Sequence, residues 1–162
     1  MNLARFLVSL VLLGTAYAQQ APSQKFICNV GYSPEECHRQ FALLRPVLAR
    51  FHAEAAGDWS WTLVRSSDWK ALVQRLGGNP ESPAFSVLEK RVTVFEEALV
   101  SPVPTRQAEL INIWHMPIDD LLEEAVTHEL GHAFCGDMSE TTAERRAQAM
   151  RHGEKPTCQR AE

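Results

Sequence analysis

Residues 128–132 read His-Glu-Leu-Gly-His, and this short pattern restricts the fold more than any other stretch of the chain. Two histidines four apart on a helix lie on a single face, about one turn from each other. From that face both imidazoles reach one metal ion, and the glutamate between them sits beside the ion's open side. Two ligands and a general base are most of what metal-assisted hydrolysis needs. A fold that uses the pattern must therefore bury one side of a long helix and bring a third ligand to the other.

The flanking residues provide such a helix. Pro117 breaks whatever precedes it, Asp119 and Asp120 place negative charge in the first turn, and Gly136 is a natural stop. Leu122, Val126, Leu130 and Ala133 recur at helical spacing and predict a buried stripe with the histidines at its flank. After Gly136-Asp137 the chain is expected to turn back into a last helix, from about Ser139 to Arg151, ending at Gly153. Glu140 and Glu144 lie one turn apart on it. One can bind the metal, and the other can accept a hydrogen bond from the distal nitrogen of a ligand histidine.

HELGH followed by an acidic pair four apart resembles the gluzincin branch of the zincin metallopeptidases, over about Asp119 to Glu144. The resemblance implies Zn2+ held by His128, His132 and Glu140, with Glu144 orienting a ligand histidine. It further implies that Glu129 is the catalytic base, taking a proton from water and passing it to the leaving amine of a peptide or protein substrate. Two departures keep Glu144 open as the alternative third ligand. The interval from His132 to Glu140 is short, and the second acid is Glu where Asp is typical. The metzincin pattern does not fit, because Cys135 stands in its glycine position and Met138 in that of its third histidine.

The N-terminus reads as a secretory signal. Arg5 precedes the apolar run Phe6 to Leu13, and Ala16-Tyr17-Ala18 forms a cleavage site. The expectation is a signal peptide over 1–18 and a single zincin-like metallopeptidase domain over 19–162, periplasmic or secreted. The apolar run is too short to span a bilayer and no later segment is apolar enough, so no stable membrane insertion is expected after cleavage. Four cysteines in an exported chain argue for two disulfides. Of the possible connectivities, Cys28–Cys37 and Cys135–Cys158 each close a short loop and are favoured. No C-x-x-C pair supports a cysteine-bound structural zinc. A net charge of −4, without a Gly-rich phosphate loop, gives no reason to expect nucleic-acid binding.

The remaining elements point to an α+β fold, a small sheet packed on helices with the HELGH helix central. Residues 19–25 are polar and expected to be loose. Ser33-Pro34-Glu35-Glu36 starts a helix with a capping box. It is expected to run to about Ala56 with the stripe Phe41, Leu44, Val47, Leu48 and Phe51, and Pro46 implies a kink or break. Trp59 to Arg65 reads as a strand, and Ser67 to Leu76 as a short helix stopped by Gly77-Gly78. Residues 85–100 hold a second strand region, clearest over Arg91 to Phe95, with a hairpin turning near Glu89-Lys90. For Arg106 to His115 helix is favoured over edge strand.

Other residues read more simply. His115 and Tyr32 are candidates for oxyanion stabilisation, but a loop histidine and a packing tyrosine are the plainer readings. His38, His52 and His152 are expected to face solvent. Trp59, Trp61, Trp69 and Trp114 suit core or sheet-face positions better than a substrate groove, and Arg145, Arg146 and Arg151 suit a solvated helix face. The expected function is an exported zinc-dependent hydrolase of metallopeptidase type, with a shallow cleft suited to small or flexible peptides. The alternative is a non-catalytic exported binding or stress module that keeps zinc as a structural core, with metal buffering as a third reading; a closed four-ligand site would favour the structural role.

Overall fold

The computed structural model describes residues 25–155 and 158. The expected signal peptide over 1–18 and most of the polar start after it lie outside the described residues. At Ser33 the local signals are obeyed. Its side chain accepts from the Glu36 N–H at 3.2 Å, and the Glu36 carboxylate accepts from the Ser33 N–H at 2.9 Å. Helix α1 then runs Pro34–Arg50 and buries Phe41, Leu44 and Leu48. It continues through Pro46 and stops before Ala56 for another reason. His52 takes a left-handed conformation (φ 57°), and a 3-10 turn over Ala53–Ala56 follows, closing at Gly57. This turn folds Ala53 and Ala56 into the core, which a continued helix would not.

Four strands and four more helices follow the same logic. Strand β1 is Lys25–Cys28, β2 Ser60–Val64, β3 Ala84–Val87 and β4 Val92–Glu96. Helix α2 is Ser66–Arg75, α3 Pro104–Trp114, α4 Ile118–Cys135 and α5 Glu140–Arg151. The hairpin expected near Glu89-Lys90 is present, and Arg91 takes the left-handed conformation that returns the chain into β4. β1 begins at the last residue of the expected loose start, where no strand was expected. It is a short edge strand whose only inward residues are Phe26 and Cys28, too few to produce a visible alternation.

The fold is α+β. The sheet order is β1-β2-β4-β3, with β1, β2 and β4 parallel and β3 antiparallel at the edge. One face carries Trp61, Leu63 and Phe95 and packs against Phe41, Leu44 and Leu48 of α1 and Leu121, Val126 and Leu130 of α4. The other carries Val64 and Val94 and is covered by Trp69 and Val73 of α2. Each such side chain contributes about 1.5–3 kcal/mol when removed from water, and together they fix α4 across the sheet. A buried ion pair pins α3 to the end of β4: Arg106 reaches both Glu96 oxygens, at 2.8 and 3.0 Å. Disulfides join Cys28 to Cys37 and Cys135 to Cys158, tying β1 to α1 and the end of α4 to the segment after α5. Among the described residues no helix is long and apolar enough to cross a membrane.

Candidate metal centre

The site is built on the flank of α4 that α5 packs against, and its geometry follows from how the chain leaves that helix. Gly136 takes the left-handed conformation that ends α4, and the His132 carbonyl accepts from the Asp137 N–H. The Asp137 carboxylate then accepts from the Ser139 N–H at 2.8 Å, and the Ser139 side chain caps α5. This return is tight enough to lay the first turn of α5 against the HELGH face. Gly131 makes the approach possible: a Cβ there would meet the Ala143 carbonyl oxygen at 2.5 Å. Glu140, in the first turn of α5, is thereby carried over His128 and His132.

Three donors converge. His128 Nε2 lies 2.9 Å from a Glu140 oxygen and 3.3 Å from His132 Nε2, and His132 Nε2 lies 3.6 Å from the other Glu140 oxygen. Tetrahedral ligands at zinc distances of about 2.0–2.1 Å stand roughly 3.3 Å apart, the separation of the two imidazole nitrogens, and Glu140 offers one oxygen to each. The distal nitrogens fit as well. His132 Nδ1 is 2.6 Å from the Asp137 carbonyl oxygen, an acceptor only, so Nδ1 carries a proton and Nε2 is the nitrogen turned to the site. His128 Nδ1 is 3.4 Å from Glu144. Of the two acids weighed as third ligand, Glu140 is thus on the Nε2 side and Glu144 on the Nδ1 side.

Arg151 holds Glu144 in place. It donates to the other Glu144 oxygen at 3.2 Å and to the Thr127 hydroxyl at 2.8 Å, and pairs with Glu124 at 3.0 Å. Burial works to raise the Glu144 pKa, but hydrogen bonds from Gln148 and His128 and the Arg151 charge outweigh it and hold it below the ordinary range. The expected solvated arginine face is corrected here. Arg151 is drawn inward by these acids, and Arg146 is buried, donating to the Gly131 carbonyl at 3.0 Å. Arg145 alone faces solvent.

Glu129 points inward, beneath the site. Burial raises its pKa, opposed by Ser86 and the two histidines and reinforced by Glu140. Its Oε2 has no partner at hydrogen-bonding distance among the described residues. Glu129, His128, His132 and Glu140 all open onto a cleft of about 900 Å³ between α4, α5 and β3. Its walls include Leu76, Phe85, Trp114, Leu121 and Met138. Trp114 reaches it from the end of α3, held by a 3.2 Å bond from its indole N–H to the Glu81 carbonyl. It is the one tryptophan of the four that is not core; Trp59, Trp61 and Trp69 are buried.

Neither His115, the left-handed C-cap of α3, nor Tyr32 lines the cleft. The Tyr32 ring lies under the Arg65 guanidinium, at 4.1 Å. His38, His52 and His152 are exposed as expected. The sequence pattern did not reveal the Asp137 carbonyl, the Arg151 clamp or Ser86, since each enters only through tertiary contact. Comparison with protein-family models, with curated proteins and with solved structures gives no match to this chain.

Proposed function

We propose that this protein is an exported zinc-dependent hydrolase of the metallopeptidase type, similar to the gluzincins in its ligand arrangement. The observation that carries the reading is the convergence of His128, His132 and Glu140 over a buried, partnerless Glu129 oxygen, at the floor of a cleft. His128, His132 and Glu140 would hold the ion, which when bound supplies Lewis-acid activation of water and of a carbonyl group. Glu129 takes the proton from the attacking water and delivers it to the leaving amine. Glu144 and the Asp137 carbonyl keep the imidazoles in the tautomer that binds metal.

A peptide is the substrate class that the surroundings favour. The Pro83 carbonyl accepts from the Glu96 N–H at 2.9 Å. Antiparallel alternation then turns the Ala84 N–H and both Ser86 backbone groups toward the free edge of β3, beside the cleft. An extended peptide can add to such an edge and place side chains on the apolar walls. Three candidate ligands among the described residues leave a position for water, which supports catalysis over a closed structural site. Disulfides at both ends of the domain are in keeping with export.

The test is metal analysis of the mature protein with a peptide-library cleavage assay, run beside Glu129→Gln. The expected result is one zinc per chain in both proteins and cleavage by the wild type only. Equal cleavage by both would remove Glu129 from its role. Stoichiometric zinc without Glu129-dependent cleavage would favour the non-catalytic zinc module.

A further inference from the structure

A chain of buried polar groups runs through the sheet to the cleft that Glu129 lines. Ser86 on β3 and Thr93 on β4 are direct cross-strand partners. They form the non-hydrogen-bonded kind of pair, in which side chains stand closest. Their hydroxyl oxygens are 2.7 Å apart. On the far side of Thr93, the Trp59 indole N–H donates to Thr93 Oγ1 at 2.9 Å. All three residues are buried, and Thr93 is fully so.

The direction of this chain can be deduced. An indole nitrogen can only donate, so Thr93 Oγ1 is an acceptor for Trp59. Thr93 still has a hydroxyl proton, and among the described residues Ser86 Oγ is its one hydrogen-bonding partner. If Ser86 donated to Thr93 instead, the Thr93 proton would be buried without an acceptor, at a cost of about 1–3 kcal/mol. Thr93 therefore donates to Ser86, and the Ser86 proton is left to point onward. Ser86 and Glu129 line the same cleft, and Glu129 Oε2 is buried with no partner. A spare donor and a spare acceptor thus share one cleft.

We infer that Ser86, backed by Thr93 and Trp59, is a positioning residue for Glu129, with its hydroxyl donating to the carboxylate oxygen turned away from the substrate. The inference rests on the reading of Glu129 as general base. The anchor is rigid because it belongs to paired strands, so the carboxylate is held at a fixed angle while its other oxygen serves the water. Ser86 itself touches no reacting atom; it acts through Glu129.

The experiment uses the zinc-loaded full chain and the peptide that the wild type cleaves best in the library. Ser86→Ala and Thr93→Val remove the donor and its support, while Ser86→Thr keeps a hydroxyl. The expectation is a kcat loss of about 10–100-fold for Ser86→Ala, the scale of an orienting partner's removal. A smaller loss is expected for Thr93→Val, with KM and zinc content unchanged in both, and Ser86→Thr should recover most of the rate. Unchanged kcat in Ser86→Ala, or loss of rate in Ser86→Thr equal to that in Ser86→Ala, overturns the inference. Equal cleavage by wild type and Glu129→Gln overturns the functional reading itself, and this inference with it. If the wild type cleaves nothing, a crystal structure of the zinc-loaded protein decides. Ser86 Oγ within hydrogen-bonding distance of the Glu129 carboxylate supports the inference, and Ser86 bonded to another acceptor overturns it.

Discussion

Glu140 and Glu144 differ by one helical turn, and the histidine nitrogen each meets separates their roles. Glu140 is 75% exposed and meets the Nε2 atoms, whereas Glu144 is clamped by Arg151 and meets only His128 Nδ1. Glu144→Ala should therefore weaken zinc binding by about 10–100-fold, the usual effect of losing an orienting partner. Glu140→Ala should weaken it further, because on the proposed reading a ligand is lost. Competition titration with a chelator measures both, and the reverse order would exchange the two assignments. Glu129 makes a second residue-scale prediction, for the metal-free protein. Burial raises its folded pKa above the ordinary 4.5, so the folded state binds the proton more tightly than the unfolded one. Its effect on stability is nil at low pH, where both states are protonated. As pH rises above 4.5 this group works increasingly against the folded state, until the folded carboxyl ionises. Glu129→Gln does not titrate. Its melting temperature should match the wild type near about pH 4 and exceed it increasingly toward neutrality. A constant difference across that range would show that Glu129 is not the buried titrating group.

The α4–α5 unit is held by close backbone approach, and this gives the element-scale prediction. At Gly131 an added Cβ would lie 2.5 Å from the Ala143 oxygen and 2.9 Å from its Cα, and backbone cannot swing aside as a long side chain can. Gly131→Ala should push α5 outward and cost about 1–3 kcal/mol, as overpacking does. Because α5 carries Glu140, zinc affinity should fall together with the melting temperature. A variant that loses stability but keeps full zinc affinity would show that α5 does not position the ligand. Much of this unit was legible in the sequence, because its signals are local: the apolar stripe of α4, the stop at Gly136, and acids spaced one turn apart. The same is true of the Ser33–Glu36 capping box and the hairpin at Glu89-Lys90. What was not legible is what depends on a partner far along the chain. Arg146 and Arg151 look like solvent-facing charges until α4 supplies a carbonyl, a hydroxyl and an acid for them. β1 has too few inward residues to declare itself before β2 pairs with it.

At the scale of the molecule, the sheet and α4 form one body, and α5 is a flap fastened to it at several points. The hydrophobic faces of the sheet engage α1, α2 and α4, while α5 contributes Met150 to the main core and is otherwise attached through α4. Its fastenings are the Gly131 contact, the Arg146 and Arg151 bonds, the candidate metal ligands near its start and the Cys135–Cys158 disulfide beyond its end. The disulfide spans a sequence separation of 23, for which loop-closure entropy gives about 3 kcal/mol. Removing it as the Cys135→Ser, Cys158→Ser pair should therefore lower stability by about 2–4 kcal/mol. The loss should not fall evenly. Detachment of α5 is a local opening that leaves the sheet and its two faces intact, so amide exchange should accelerate in α5 and the last turn of α4 while β2 and β4 stay protected. Zinc that bridges α4 and α5 stabilises only the closed form, so saturating zinc should restore much of the protection in α5. Hydrogen exchange on the serine pair with and without zinc measures both effects. Uniform acceleration through the sheet, or no protection of α5 by zinc, would mean that the flap and the body unfold as one and that the metal does not bridge them.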